Sequence, residues 1–232
     1  MAGNFTDFGD LVLIIGDFHV PQRAIDLPPC FKELLHTDKI RHVLCTGNVG
    51  CESMLEFLRG IAGSVHIVKG DMDEGMDFPE YKILQFGVSL HLASPTRIAV
   101  YAKLEEASSG NSVCVRAFAS VLNAGEFKVA LLHGHQVVPW GDADALLQWQ
   151  RRLDCDILVS GHTHSNSVRE VEGRFFINPG SATGAYQPWA PTPTPSFMLM
   201  ALQGASVVLY IYEERDGKAE VVMSEFSKPP KK

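Results

Sequence analysis

The sequence lacks the features that mark disulfide-rich, membrane-spanning and nucleic-acid-binding proteins. Its five cysteines are odd in number and never form a CxxC pair, which is typical of reduced thiols in a cytosolic protein. No apolar run approaches the ~20 residues of a membrane span, and the N-terminal residues MAGNFTDFGD lack the basic-then-apolar order of a signal peptide. A net charge of -7 argues against broad nucleic-acid binding. We therefore expect a soluble, cytoplasmic globular protein.

The 232 residues are 46% hydrophobic, which is enough to build one sizeable core. We predict a single domain over residues 11–226, preceded by an N-terminal extension at 1–10 and followed by a flexible tail at 227–232. The tract from about 88 to 125 contains SSGNS and has no clear period. Because a structureless loop of this length is uncommon inside a compact domain, we interpret it as a surface insertion.

The first half alternates between strand-like and helix-like segments, whereas the second half is rich in strands. Short apolar runs followed by amphipathic segments predict parallel strands joined by crossover helices. Later runs separated by turn residues, including a hairpin centred on Glu172 and Gly173, predict antiparallel pairing. The predicted strands are 11–15, 42–45, 65–68, 81–86, 127–132, a run that begins at Ile157 and turns through Gly161, 196–202, 206–212 and 219–226. The predicted helices are 28–36, 52–61 and a third, capped by Asp142 or Asp144, that runs to about Leu153.

Five apolar runs end in glycine beside a side chain that can bind a metal: LVLIIGDFH, HVLCTGN, VHIVKGD, VALLHGH and ILVSGHTHS. The carboxyl ends of parallel strands are where ligands bind in open α/β sheets. A purely structural role for each residue is the alternative, since histidines after a strand often bond to the backbone and Asp17 could cap a turn. The oxygen and nitrogen donors favour two divalent ions such as Mn, Zn or Fe over a structural zinc. They are Asp17, His19, Asn48, Asp71, His133, His162 and His164.

In this order GDFH, GN, GD, HGH and GHTH resemble the signature of the calcineurin-like metallophosphoesterases. The resemblance implies an α/β (α+β) fold, a four-layer αββα sandwich of two mixed β-sheets flanked by helices. It also implies two divalent ions, Zn or Mn, that act together in phosphoester hydrolysis. One ion would take Asp17, His19 and His164, the other Asp71, His133 and His162, with Asn48 between them.

Two positions depart from the catalytic pattern of that family. Active members carry a bridging Asp where this chain has Asn48, and an Asn where it has Asp71. Phosphoprotein phosphatases then have a histidine that meets the leaving oxygen, where this chain has Met72, which can neither donate nor accept a proton. Two hypotheses therefore remain open: a non-catalytic or very weakly catalytic metal-binding scaffold, and an active phosphodiesterase.

Val138, Pro139 and Trp140 form an apolar tripeptide that follows His135 beside the predicted site. Contiguous exposed apolar surface usually marks a partner, which favours the scaffold. The resemblance is closer to a member that serves as the small subunit of an endosomal sorting coat. It implies docking to a large helical-solenoid subunit, endosomal regulators, and attachment to endosomes only through partners. It also implies a second hydrophobic patch made of Leu11, Leu34, Leu35, Leu199, Tyr210 and Tyr212.

Overall fold

The computed structural model describes residues 11–86, 127–190, 192–203 and 206–227. The predicted extension at 1–10, the predicted insertion at 88–125 and residues 228–232 of the predicted tail lie outside the described residues. No helix in the described part of the chain is long and apolar enough to span a membrane. In chain order the elements are β1 (Leu11–Ile15), α1 (Pro29–Leu35), β2 (Ile40–Cys45), α2 (Glu52–Ile61), β3 (Ser64–Ile67), β4 (Tyr81–Phe86), β5 (Phe127–Leu132), α3 (Ala143–Leu153), β6 (Ile157–Val159), β7 (Ser167–Val171), β8 (Arg174–Asn178), β9 (Ser196–Gln203), β10 (Ser206–Arg215) and β11 (Lys218–Ser227).

The first sheet has six strands in the order β11-β10-β9-β1-β2-β3. Strands β1, β2 and β3 are parallel and are joined by the crossover helices α1 and α2, as their alternation in the sequence predicts. Strands β9, β10 and β11 form an antiparallel meander that pairs with β1 through β9. The apolar runs of β1 and β2 therefore lie at the centre of the molecule, with their carboxyl ends at one edge.

The second sheet has five strands in the order β4-β5-β6-β8-β7. The hairpin at Glu172 and Gly173 joins β7 to β8, as predicted. The expectation that the second half is antiparallel is wrong around β6, which runs parallel to both β5 and β8. The three-residue strand β6 is fully buried between β5 and β8, and a strand so short carries too little pattern to reveal its neighbours.

Three apolar clusters define the layers. One lies between α1, α2 and the first sheet, the second lies between the two sheets, and the third lies between α3 and the second sheet. This arrangement confirms the predicted four-layer αββα sandwich. The side chain of Asp142 accepts a hydrogen bond of 2.9 Å from the backbone N–H of Ala145, so Asp142 rather than Asp144 caps α3.

Candidate metal centre

The first candidate metal group consists of Asp17, His19 and His164, all of which are buried. Nε2 of His19 and Nε2 of His164 face each other at 3.0 Å. Both nitrogens lie within 3.8 Å of Oδ1 of Asp17. Two imidazole nitrogens and a carboxylate oxygen that converge in this way form a three-donor set for a divalent cation.

The second group consists of Asp71, His133 and His162. Oδ1 of Asp71 lies 2.9 Å from Nε2 of His133 and 3.6 Å from Nδ1 of His162. Both histidines are buried, whereas the Asp71 side chain is 37% exposed. The second group therefore faces the open side of the centre, and the first lies beneath it.

Backbone carbonyls fix the orientation of two of the rings. Nδ1 of His133 donates to the carbonyl of Thr46 at 2.7 Å, and Nδ1 of His164 donates to the carbonyl of Ala185. With Nδ1 occupied in each ring, Nε2 is the nitrogen that faces the candidate metal group. A carbonyl behind a histidine is the usual second partner of a metal-bound imidazole, because it fixes the tautomer and makes the other nitrogen more basic.

Five of the seven predicted ligands adopt a positive φ, which is uncommon for residues other than glycine. Each lies in a turn after a strand, and Asp, Asn and His adopt a positive φ more readily than most residues. Such strain persists only where surrounding contacts hold it, and it is concentrated at functional sites. The residues and their φ angles are Asp17 51°, His19 50°, Asn48 52°, His162 70° and His164 57°.

Asn48 lies between the two groups with its amide nitrogen turned into the centre. Nδ2 of Asn48 donates to Oδ1 of Asp71 at 2.9 Å and lies 3.4 Å from Oδ1 of Asp17. Its Oδ1 accepts from the backbone N–H of Met72 at 2.9 Å. If the amide turned over to offer its oxygen to a metal, Nδ2 would face the Met72 N–H and the hydrogen bond would be lost. In this orientation Nδ2 faces both groups, and the role of Asn48 as a metal ligand stays a prediction.

Asp73 is a structural residue of the centre that the sequence pattern did not single out. Its buried carboxylate accepts backbone N–H groups from Asn48 at 2.7 Å, Val49 at 2.9 Å and Gly70 at 2.9 Å. It thereby ties the loop after β2 to the loop after β3. The only available signal was a second Asp two residues after Asp71.

The buried charges shift the pKa values of the candidate ligands in opposite directions. Burial lowers the pKa of His19 to about 4, and burial also lowers the pKa of His164. Burial would lower the pKa of His133 as well, but the carboxylates of Asp17 and Asp71 outweigh it and raise that pKa. For Asp71, burial is outweighed by the neighbouring histidines and Asn48, so its pKa is lowered. The first group is thus neutral at its histidines near pH 7, whereas a metal at the second group competes with a proton on His133.

The donor set fits divalent metal ions. His162 is 3% exposed, and neither of its ring nitrogens has a hydrogen-bond partner among the described residues. A buried imidazole without partners costs free energy that a bound cation would recover. The hard and borderline donors, with no thiolate among them, suit Zn or Mn.

The predicted partner-binding residues lie beside the second group. Val138 is 74% exposed, Pro139 is exposed and His135 is half-buried. Trp140 is 48% exposed and its ring lies 4.9 Å from that of His162. The structure adds Trp189, which is 46% exposed and packs against Trp140 with the rings tilted by 36° and their centroids 4.6 Å apart. We call Val138, Trp140 and Trp189 the apolar patch.

The predicted second hydrophobic patch needs one correction. Leu35 is 2% exposed and packs in the core beneath α1, so it is not available to a partner. Leu34, which precedes it in the helix, is 45% exposed. The other members, Leu11, Leu199, Tyr210 and Tyr212, are partly buried, and their role in binding stays a prediction.

Comparison with known proteins places this centre in a family. The sequence-family model of the calcineurin-like phosphoesterase superfamily domain matches residues 11–205 of this chain. The chain is 34% identical over 223 residues to vacuolar protein sorting-associated protein 29 of Schizosaccharomyces pombe, covering 94% of this chain and 99% of the relative.

Two solved structures of that protein are also similar. That of Cryptosporidium parvum is 48% identical with a TM-score of 0.77, covering 96% of this chain and 100% of the other. A zinc complex from Entamoeba histolytica is 39% identical with a TM-score of 0.73, covering 93% and 98%. The chain therefore belongs to the calcineurin-like phosphoesterase superfamily and, within it, to the family of vacuolar protein sorting-associated protein 29.

Proposed function

We propose that this chain is a metal-binding scaffold subunit of the retromer coat, held on endosomes by a large helical-solenoid subunit that docks over the candidate metal centre. The relatives named for vacuolar protein sorting support the process. The observation that carries the docking site is the apolar patch, which lies against His162 at the open side of the centre. Exposed aromatic residues at the middle of a polar surround have the composition of an interface hot spot.

A cavity of about 530 Å³ beside the apolar patch supports the same surface. Its walls include the apolar side chains of Val137, Leu146 and Phe176, with Trp140 and Trp189 at one side. Polar groups, among them Arg169, line another part of the wall. This lining suits an apolar side chain projecting from a partner helix, since such anchors bind where water is excluded around them. We propose that the solenoid subunit inserts one there.

In this proposal the ions act as structural cross-links. When bound, a pair of such ions supplies positive charge that holds oxygen and nitrogen donors together. His133 begins the loop that carries Val138 and Trp140, and His162 contacts both tryptophans. Metal ligation at these two histidines would reduce the freedom of the patch before the partner arrives, which lowers the cost of binding.

The alternative function is an active phosphodiesterase, which the two intact donor groups favour. Asn48 weighs against it, because a neutral amide is a poorer bridge between two cations than a carboxylate. Met72 supplies no proton to a leaving group. We therefore propose that any phosphoesterase activity is residual, with a substrate of the phosphodiester class.

Val138→Asp tests the docking surface. It places an unpaired carboxylate in a desolvated contact, which should cost several kcal/mol of binding. Because Val138 is 74% exposed in the free protein, folding should be nearly unaffected. Binding to the purified retromer large subunit would be measured by calorimetry, and metal content by elemental analysis.

Val222→Asp is the matched control, since Val222 is 63% exposed on β11, at the far edge of the first sheet. It should bind the large subunit like the parent. Trp189→Ala should weaken binding without removing it, because Trp140 remains. If Val138→Asp folds, holds metal and binds the large subunit with undiminished affinity, the docking surface is wrong.

A further inference from the structure

Strand β11 is an edge strand with three consecutive exposed apolar residues. Val221 is 54% exposed, Val222 is 63% exposed and Met223 is 62% exposed. Within the described residues β11 pairs with β10 alone and lies at the end of the strand order. An edge strand presents unpaired N–H and C=O groups, and proteins usually protect it with charges, prolines or bulges. Here the charged residues Lys218, Glu220 and Glu225 flank an apolar middle, and all ten residues pair with β10 in continuous register, without a bulge.

The exposed residues extend apolar rows that β10 begins. Met223 is opposite Tyr210 and Val221 is opposite Tyr212, so these four residues share one face of the hairpin. Val222 is opposite Ile211 on the other face. Each row therefore runs to the edge of the sheet and ends there without a further neighbour among the described residues.

We propose that β11 pairs with β11 of a second copy of this chain, antiparallel, about a twofold axis at Val222. The register follows from the sequence of the strand. A twofold axis perpendicular to the sheet keeps each face continuous, so two opposed residues must both be odd-numbered or both be even-numbered. An axis at Val222 sets Val222 opposite Val222 of the second copy, and Val221 opposite Met223 of the second copy.

This register completes the apolar rows on both faces. On one face Tyr212 and Val221 are followed by Met223 and Tyr210 of the second copy, and symmetry repeats the row in reverse. On the other face Ile211 and Val222 are followed by the same two residues of the second copy. Aromatic and β-branched neighbours across strands are among the favourable pairs in sheets.

Shifted registers lose this match. With the axis at Val221, Glu220 would lie opposite Val222, and with the axis at Met223, Glu225 would lie opposite Val221. With the axis at Glu220, two carboxylates would face each other, which is destabilising. With the axis at Val222, Glu220 lies opposite Ser224 and Glu225 opposite Ala219, so no like charges are opposed. Among these registers, only the axis at Val222 sets the three exposed apolar residues opposite one another without opposing two carboxylates.

The association would be weak and dependent on concentration. A strand of ten residues is about 34 Å long, and a single strand pair of that length buries less surface than a stable complex needs. The surface lies at the opposite end of the first sheet from β2 and β3, so the inference does not depend on the proposed docking surface. Raised local concentration on a membrane coat would favour it.

Sedimentation equilibrium of the full chain tests the proposal. The parent should show a reversible monomer–dimer equilibrium. Val222→Lys places two ammonium groups at the axis and should raise the dissociation constant about tenfold or more. Ile25→Lys is the matched control, because Ile25 is 94% exposed elsewhere, and it should dimerise like the parent.

Cysteine cross-linking tests the register. Under mild oxidation Val222→Cys should form a disulfide-linked dimer, whereas Glu220→Cys should not, because four residues of strand separate the two cysteines by about 13 Å. A mixture of Glu220→Cys and Ser224→Cys chains should cross-link. The parent, run in parallel, corrects for its own cysteines. A parent that stays monomeric at its solubility limit, a dimer that Val222→Lys leaves intact, or equal cross-linking by Glu220→Cys and Val222→Cys would overturn the proposal.

Discussion

Nδ2 of Asn48 lies 2.9 Å from Oδ1 of Asp71, so the residue between the two candidate metal groups donates a hydrogen bond to a ligand of one of them. The neutral amide donates to the Asp71 carboxylate and adds no further negative charge beside it. A carboxylate in the same place would repel Asp71 until cations arrived.

Asn48→Asp should make stability depend on metal. The hydrogen bond to Asp71 becomes a contact between carboxylates, which should cost the metal-free protein about 1 to 3 kcal/mol. The new carboxylate can keep the Met72 N–H on one oxygen and offer the other to the ions, so Zn or Mn should restore the loss. Thermal unfolding with and without metal measures both effects.

Asn166→Asp is the control for that change. Nδ2 of Asn166 donates to Oε1 of Glu213 at 2.8 Å, so this variant also opposes two carboxylates, but neither residue belongs to a metal group. Metal should not rescue it. A metal-dependent rise in Tm for Asn48→Asp no greater than that of the parent would contradict the bridging argument.

The chain should bind up to two divalent ions. His162→Ala should remove one of them, because it takes a donor from the second group alone. Affinity at this group should also fall as the pH is lowered, since the raised pKa of His133 means that a proton competes with the metal at higher pH than for an ordinary histidine. Elemental analysis and calorimetry would measure stoichiometry and affinity, with the exposed His36→Ala as the control. Unchanged metal content in His162→Ala would argue against the second group.

Phosphoester hydrolysis should be far slower than the median enzyme turnover of ~10 per second. Loss of one transition-state donor costs about 10²- to 10³-fold in well-studied sites, and this centre lacks both a bridging carboxylate and a proton donor at Met72. Assays with Mn or Zn on simple phosphomonoesters and phosphodiesters would measure it. A turnover near the median that Asp17→Ala abolishes would establish the phosphodiesterase instead.

The positions of the metal groups could be predicted because parallel strands bring their carboxyl ends together. The apolar runs before Asp17, His133 and His162 predict the strands, and the glycines after them predict the turns. The orientation of Asn48 could not be predicted, since it depends on the backbone N–H of a residue 24 positions away. A ligand list drawn from side-chain types alone does not contain that information.

The apolar patch shows the same limit. The sequence predicts Trp140 beside the site because it follows a buried strand, but Trp189 lies in a proline-rich loop with no period. The contact between the two rings joins segments 49 residues apart. Similarly, helical spacing gives Leu34 and Leu35 equal weight, and only the packing of α1 on the first sheet shows which of them is buried.

Gly161→Ala should destabilise the fold and disrupt the first metal group. A Cβ at Gly161 would lie 2.6 Å from Oδ2 of Asp17 and 2.7 Å from Oγ1 of Thr46. Forced overpacking of this kind costs about 1 to 3 kcal/mol. Gly60→Ala should instead stabilise the protein by about 1 kcal/mol, because Ala favours the helix α2 more than Gly does. Nothing lies within 4 Å of the added Cβ, so no clash opposes this gain. Chemical denaturation measures both, and a neutral Gly161→Ala would show that the loops after β1 and β6 move freely.

Residues 87–126 should be dispensable for folding. The strands on either side form a continuous antiparallel pair. Phe86, the last residue of β4, lies directly opposite Phe127, the first residue of β5. Two opposed residues of an antiparallel pair can be joined by a two-residue Asn-Gly turn, whose backbone matches the strand twist. Replacing 87–126 by Asn-Gly should therefore keep Tm within a few degrees and leave metal binding intact. The control joins the same positions with a flexible Gly/Ser linker, which should fold with a slightly lower Tm because its closure costs more entropy. If both shortened chains aggregate, the replaced residues cover apolar surface of the domain, and their interpretation as a surface insertion is wrong.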